Sequence, residues 1–388
     1  MSDLLYAEEE EALRAAVRDL LTDHADPADV ITRAETDTPH DLAVWKSLTE
    51  GMGLAGLLVP EEYGGQGAGH REVAVVLEEL GRAVTPVPYL TSAVVATEAL
   101  LALSGSGSGS GSDVGSGTGS RSGVGSGSGL GSGSGVGELL GELASGRRIG
   151  ALAVGLHTAP GAPFPAVRLE NGTLRGELTG IADAAVADVL LVPADDGGLY
   201  AVRAADATVT PLSSLDLTRP VARIALDGAP GERLGDAEPA VRRALRSGAG
   251  LLASEQLGLA DWSLTETVRY LKERKQFNRP VGGFQALKHR LAALWLQTVH
   301  LRAAARAAAD ALAADRDADV SVAVAQAYAG PVAVRAAGEA LQLHGGIGMT
   351  WEHPVHLYLK RAKADSIAYG TTGAHHAALA ELVELPAP

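Results

Sequence analysis

A short basic stretch between two helical patterns carries side chains of the types that bind an anion. Within residues 274–294, Arg274 offers a planar guanidinium fork that fits a phosphate group. The amides of Gln276 and Gln285 can pair with the polar edge of a ring, and Phe277 offers an apolar face for stacking. Glycine and proline in the stretch predict a compact corner between helices. The same turn residues are also expected in a corner that contacts only solvent, so the pattern alone leaves both interpretations open.

A second glycine-rich segment follows toward the carboxyl end of the chain. Residues 345–348 read Gly-Gly-Ile-Gly, but no strand–helix–strand pattern surrounds them. They are therefore not the phosphate-binding fingerprint of a doubly wound nucleotide-binding fold. Glycines at this spacing indicate instead a place where the backbone approaches another group closely.

Three ordered blocks of the chain together resemble the acyl-CoA dehydrogenase family. The first, residues 274–285, is similar to the family pattern R-x-Q-F-G-x-P-(I/V)-x-x-F-Q, with Asn278 in place of the usual glycine. The second, residues 342–362, is similar to the C-terminal Q-x-x-G-G-x-G block, and the third, residues 53–67, is similar to the N-terminal turn. Three blocks spread over nearly the whole chain are more specific than any one of them.

The resemblance implies FAD as the cofactor and assigns seven residues to it. By their match to family positions, these are Arg274, Phe277 and Gln285 toward the dinucleotide, Gln342, Gly345 and Gly346 toward its adenosine side, and Thr371 toward a flavin phosphate or ribose. The implied reaction is the α,β-desaturation of an acyl-CoA or other acyl thioester in fatty-acid or lipid metabolism. The implied partners are an electron-transfer acceptor and further subunits, in a homo- or hetero-oligomeric tetramer built as a dimer of dimers.

The catalytic base of such a reaction is missing from the expected positions. Removal of the acidified α-proton, while flavin N5 accepts the β-hydride, requires a carboxylate that faces the flavin across the substrate. The family carries this glutamate at one of two locations, which fall here on Tyr369 and at about Gly248.

Three explanations of the missing carboxylate remain open. Glu255 is the candidate for another base, because it lies two helical turns beyond Gly248, although a solvated or ion-paired carboxylate is the competing interpretation. Tyr369 could serve only if its pKa fell far below about 10. The chain could also be the subunit without a base in a heteromer, as in some actinobacterial relatives, where a partner supplies the carboxylate.

The segments that cover the flavin in the resembled family also differ here. Where the family has a Thr-Glu-Pro segment after the first strand, residues 154–160 read Val-Gly-Leu-His-Thr-Ala-Pro. The tryptophan-containing strand is replaced by Leu178-Thr-Gly180 followed directly by Ile181. We therefore expect a weakened or absent grip of the middle domain on the isoalloxazine.

The predicted fold class is α+β and multidomain. An N-terminal α-helical domain is expected at residues 1–148, a middle β-domain at 149–234 and a C-terminal four-helix-bundle-like domain at 235–388. Leucines at helical spacing, as at Leu257, Leu264 and Leu271, and the hairpin signal Asn171-Gly172 support this order. The Ser/Gly tract at 104–137 is predicted to be a disordered loop, because it cannot bury enough apolar area to offset its entropy.

Composition excludes several other functions. The chain has 388 residues and a formal charge of −15, and no basic run is interleaved with aromatics, so nucleic acid is not an expected partner. Zero cysteines exclude disulfides and thiol chemistry. No signal peptide or membrane span is predicted, which favours a cytoplasmic protein. The resembled family uses no metal, and none is predicted from the scattered histidines His344, His353, His356, His375 and His376.

Overall fold

The computed structural model describes residues 4–105 and 133–385. The amino-terminal part is helical, as predicted, and is built from α1 (Glu8–His24), α2 (Pro27–Ala34), α3 (Leu42–Lys46), α4 (His70–Ala83), a π-helical segment (Tyr89–Ala96), α5 (Thr97–Ser104) and α6 (Gly133–Ala144). The Ser/Gly tract predicted as a loop lies mostly outside the described residues. Its last five residues, 133–137, belong to α6, so the predicted loop extends too far.

The middle part is a sandwich of two four-stranded sheets. Its strands are β1 (Gly150–Leu152), β2 (Arg168–Glu170), β3 (Thr173–Ala182), β4 (Val189–Pro193), β5 (Gly198–Arg203), β6 (Thr208–Leu212), β7 (Val221–Ala229) and β8 (Glu232–Asp236). The sheet orders are β1-β4-β5-β8 and β2-β3-β7-β6, and only β1 and β4 pair in parallel among these strands. Strand β8 ends at Asp236, two residues beyond the predicted domain limit.

Strand β4 shows how this sandwich joins the helices. All five of its residues are buried, because side chains on its two faces enter different cores. Leu190 and Val192 pack with the second sheet, whereas Val189 and Leu191 pack with the helical core. This double burial explains why the sequence reads as a continuous apolar run and not as an alternating one.

The carboxyl-terminal part is a helical bundle around one long central helix. Its elements are α7 (Ala237–Glu273), the strand pair β9 (Lys275–Gln276) and β10 (Arg279–Pro280), α8 (Gln285–Ala314), α9 (Ala318–His344), α10 (Val355–Asp365) and α11 (Thr372–Leu382). Every residue of α7 from 247 to 260 is buried, since helices pack against it on all sides. Among the described residues, no helix is both long and apolar enough to cross a bilayer.

Helix α7 crosses α4 at a contact that only glycine allows. A β-carbon placed on Gly258 would lie 2.0 Å from the Glu78 carbonyl oxygen, and one on Gly81 would lie 2.2 Å from the Glu255 carbonyl oxygen. Because both obstacles are backbone atoms, neither helix can make room by turning a side chain. The crossing therefore fixes the position of α7, which carries both Gly248 and Glu255, against the amino-terminal domain.

We expect Gly258→Ala to lower the free energy of unfolding by about 2 kcal/mol, because the helices must move apart. Gly338→Ala is the matched control: Gly338 is also inside a helix, and its added β-carbon would meet nothing within 4 Å. That control should gain up to about 1 kcal/mol from helix propensity alone. Denaturant unfolding of both variants measures the difference, and equal stabilities would contradict the close crossing.

Candidate functional site

The Arg274 corner is a hairpin tip that protrudes from the end of α7. Strands β9 and β10 pair antiparallel, and the two residues between them, Phe277 and Asn278, have φ of 52° and 60°. Two left-handed residues define a type I′ turn, and asparagine tolerates this conformation better than most residues, so it can replace the family's glycine at 278. The Phe277 side chain is 86% exposed. Arg274 and Gln285 are also exposed, at the two ends of the corner.

The glycine turn lies next to this corner within one protomer. The ring of Tyr270, one helical turn before Arg274, stacks on the ring of His344 with 4.6 Å between centroids. Gly345 follows with φ 63° and ψ −137°, a conformation that glycine adopts at little cost. A β-carbon on Gly345 or Gly346 would meet nothing within 4 Å, so this backbone is open to a ligand. The exposed Gln342 lies one turn earlier on α9.

The two positions expected for the catalytic carboxylate are in contact with each other. A β-carbon on Gly248 would lie 3.1 Å from Cζ of Tyr369, so the ring of Tyr369 occupies the space beside α7. Tyr369 is 3% exposed, and burial raises the pKa of its hydroxyl well above the usual 10. The side chain is therefore protonated at neutral pH and cannot act as a base. Thr371 lies two residues further, where its hydroxyl accepts a hydrogen bond from Ala374 N–H at 3.2 Å.

The middle domain closes over Tyr369 at the segments that differ from the family. The Tyr369 N–H donates to the Leu156 carbonyl at 2.6 Å, and the Leu156 N–H donates to the Gly180 carbonyl at 2.9 Å. The cavity left beside Tyr369 measures about 20 Å³, which is room for about one water molecule. Its lining is mostly apolar and consists of Thr91, Val95, Leu152, Val154, Leu156, Ala182, Leu245 and Tyr369. A tricyclic flavin ring or an acyl chain does not fit this space.

A much larger groove begins at the same loop. It measures about 870 Å³, within the range of small-molecule sites, and it lies between residues 159–162, the first turns of α7, and helices α9 and α11. His375 lines it and donates its Nε2–H to the Tyr369 carbonyl at 3.0 Å. Three arginines of α7 form its basic wall, namely Arg242, Arg243 and Arg246.

Acidic and carbonyl partners hold this basic wall in place. Arg243 donates to Glu98 at 2.5 Å, and Arg246 donates to Asp315 at 2.9 Å. Arg242 donates to Glu238 and to the carbonyl oxygen of Pro160. The three guanidiniums are thus held at the groove, each by an acidic partner, and Asp319 and Glu381 line the same groove.

Glu255 lines neither this groove nor the cavity. Both its carboxylate oxygens are bound to arginines. Arg219 donates to Oε2 at 2.5 Å and Arg361 donates to Oε1 at 2.6 Å. Burial raises the pKa of Glu255, but the two arginines outweigh this effect and hold the pKa below its usual 4.5. This is the ion-paired arrangement that the sequence left open, and a carboxylate held in this way is a poor proton acceptor.

The arginines belong to a buried network that the sequence did not reveal. Arg219 also donates to Asp365 at 2.8 Å, and Arg361 donates to Asp216 at 2.5 Å. Two guanidiniums thus meet three carboxylates, all at most 6% exposed. Burial and the nearby Glu255 raise the pKa of Asp365 well above its usual 3.8, whereas the pKa of Glu255 is lowered.

Comparison with solved structures identifies the class of the fold. The ChsE4-ChsE5 complex from Mycobacterium tuberculosis superposes with a TM-score of 0.81 and 29% identity over 100% of both chains. The Tcur3481-Tcur3483 steroid ACAD has a TM-score of 0.78 and 29% identity, covering 97% of this chain and 98% of its own. The helical domain, sandwich and bundle thus form the acyl-CoA dehydrogenase fold, as the sequence predicted.

Sequence comparison identifies the family. The family model of the acyl-CoA dehydrogenase N-terminal domain matches residues 7–108, and that of the C-terminal domain matches residues 239–383. Acyl-CoA dehydrogenase IpdE2 of Mycobacterium tuberculosis is 34% identical over 359 residues, which cover 92% of this chain and 91% of the relative. The chain belongs to the acyl-CoA dehydrogenase family.

Proposed function

We propose that this protein acts in the FAD-dependent α,β-desaturation of an acyl thioester. The observation that carries the proposal is the groove lined by His375, which donates to the carbonyl of Tyr369, one of the two positions at which the family places its base. The three arginines of the groove carry N–H donors of the kind that bind the phosphates of CoA. Since one similar structure is a steroid enzyme, both a short acyl-CoA and a steroid-derived acyl-CoA belong in the assay.

The residues of this chain fit one end of FAD and not the other. At the corner, the exposed Arg274 and Phe277 and the open backbone at Gly345 suit a phosphorylated adenosine. At the other end, the Leu156–Tyr369 hydrogen bond and a cavity of about 20 Å³ leave no room for the flavin ring in the same protomer. When bound, FAD would supply the hydride acceptor of the reaction.

This mismatch favours a second candidate, in which the chain is the subunit without a base in a heteromer. Its corner and glycine turn would complete the FAD site of a partner that supplies the carboxylate and the space for the flavin ring. The similar ChsE4-ChsE5 structure is a complex of two components. Desaturation then remains the function of the assembly. In this chain, the ring of Tyr369 fills the space beside Gly248 and stabilises the fold.

The visible spectrum of the purified chain distinguishes the two candidates. A chain that desaturates alone is yellow, and an acyl thioester bleaches its flavin absorption. A partner subunit is colourless alone and gains flavin only when it is produced with a relative that carries the missing glutamate. A yellow chain that no acyl thioester bleaches would contradict desaturation by this chain alone, and a colourless chain that stays so with every such relative would contradict the heteromer.

A further inference from the structure

Two histidines and a glutamate that are distant in sequence meet at the base of the glycine turn. Glu266 lies on α7, His344 is the last residue of α9, and His353 lies in the turn before α10. One carboxylate oxygen and one ring nitrogen from each histidine lie within 4.8 Å of one another. The histidines are scattered along the sequence, and nothing in their spacing brings Glu266 to them.

His344 presents a buried nitrogen that has no partner. The residue is 2% exposed, and its Nδ1–H donates to the Ala340 carbonyl at 2.7 Å, which leaves the lone pair on Nε2. Among the described atoms, this Nε2 has no hydrogen-bond partner. Buried polar atoms are rarely left unsatisfied, and a histidine whose other nitrogen donates to a backbone carbonyl is oriented as metal-binding histidines are. The stacked ring of Tyr270 holds this orientation.

The other two groups complete a mixed set of donor atoms. The ring centroids of His344 and His353 are 4.5 Å apart, and one carboxylate oxygen of Glu266 lies within 4.8 Å of a nitrogen of each ring. One carboxylate oxygen and two imidazole nitrogens form a ligand set typical of borderline-soft divalent metals.

We propose that Glu266, His344 and His353 form a site for a divalent transition-metal ion of the Zn²⁺ class. A tetrahedral ion with bonds of about 2.0–2.1 Å needs its ligand atoms about 3.3 Å apart, so the three groups must close by at most about 1.5 Å. His344 is fixed, whereas Glu266 and His353 are partly exposed and can turn toward it. A fourth position is then available for water.

Two local interactions compete with the ion. Arg269 donates to both carboxylate oxygens of Glu266, at 2.5 and 2.9 Å, and also to Glu273 at 3.0 Å. It is more than half exposed, so it can turn to Glu273 or to water. The Val355 N–H donates to Nδ1 of His353 at 3.3 Å, a long hydrogen bond that metal binding through Nε2 would give up.

The position of the site indicates what the ion would do. His344 and His353 flank the glycine turn, and Glu266 anchors them to the central helix α7. A bound ion would thus fix both ends of the turn relative to the bundle. The expected role is structural, because the open backbone of the turn itself remains free.

The test is a titration of the chelator-treated, full-length protein with Zn²⁺ alone by calorimetry, repeated with Co²⁺ and its visible absorption. We expect one ion per chain, and His353→Ala should weaken Zn²⁺ binding at least about 10-fold. Arg269→Ala should strengthen it by up to about 5-fold, because the competing ion pair is lost. His376→Ala, which removes an exposed histidine on α11, is the matched control and should leave the affinity unchanged.

Three results would overturn the site. These are the absence of a stoichiometric Zn²⁺ or Co²⁺ complex, an equal loss of affinity in His353→Ala and His376→Ala, and weaker binding in Arg269→Ala. The last result separates a metal site from a purely structural cluster. In a structural cluster the arginine supports the fold around Glu266, so its removal would not favour any ion.

Discussion

Glu255→Gln is expected to lower the free energy of unfolding by about 3–5 kcal/mol, the effect typical of removing one partner from a buried ion pair. Gln preserves the shape of the side chain, but it leaves the buried Arg219 and Arg361 without the charge that both now contact. The loss therefore reports electrostatics and not packing. Denaturant unfolding measures it, and a change below about 1 kcal/mol would contradict the network as the structure has it.

Asp365→Asn is the matched control in the same network. Because a raised pKa favours the neutral carboxyl of Asp365, a neutral amide can replace it and still accept the hydrogen bond from Arg219. We expect a much smaller change than for Glu255→Gln, although both positions are buried to the same degree. Equal losses in the two variants would show that Asp365 is ionised in the folded protein.

The difference in stability between the wild type and Asp365→Asn is expected to depend on pH with a definite sign. A folded-state pKa above 3.8 means that wild-type Asp365 contributes stability below that pH and loses it as the pH rises toward the raised pKa. Asn does not titrate, so the stability of the wild type relative to Asp365→Asn should fall as the pH rises from about 4 toward that raised pKa. The lowered pKa of Glu255 acts in the opposite direction, since its contribution is present above 4.5 and is lost as the pH falls.

Local signals in the sequence predicted the elements of the fold. The hairpin between β2 and β3 forms at Asn171-Gly172, where both residues have positive φ, as a type I′ turn requires. The leucine stripe of α7 is buried at Leu257, Leu264 and Leu271. Such features depend on residues a few positions apart, and this is the range over which periodicity and turn chemistry act.

Contacts between distant residues were not predictable in the same way. The Arg361–Asp216 pair spans 145 residues, and the Arg361–Glu255 pair spans 106, so no spacing rule connects them. For the candidate site, the sequence alone indicated that Tyr369 and Gly248 replace the expected carboxylates. That the ring of Tyr369 fills the space beside Gly248 is a matter of tertiary packing, which only the structure shows.

Arg274→Ala is expected to weaken FAD binding about 100-fold, in whichever oligomer the unmodified chain holds the flavin. The Arg274 backbone is fixed by hydrogen bonds on both sides, from its own N–H to Tyr270 and from the Val281 N–H to its carbonyl. The backbone thus places the exposed guanidinium at the corner, where it can bind a phosphate as a fork, an interaction typically worth about 1.5–3 kcal/mol. Flavin content after gel filtration, measured by absorption, gives the result.

Two variants of the same hairpin separate this role from a general effect of charge. Arg274→Lys keeps the charge but loses the planar fork, so it should bind FAD with intermediate affinity. Lys275→Ala removes a neighbouring exposed charge and should keep its flavin. Because all three substitutions change exposed side chains, at Arg274 or Lys275, the thermal stability of the flavin-free proteins should be the same. If Arg274→Ala retains the full flavin content, the corner does not bind the dinucleotide, and the exposed Phe277 and the open Gly345 must then serve a contact between subunits instead.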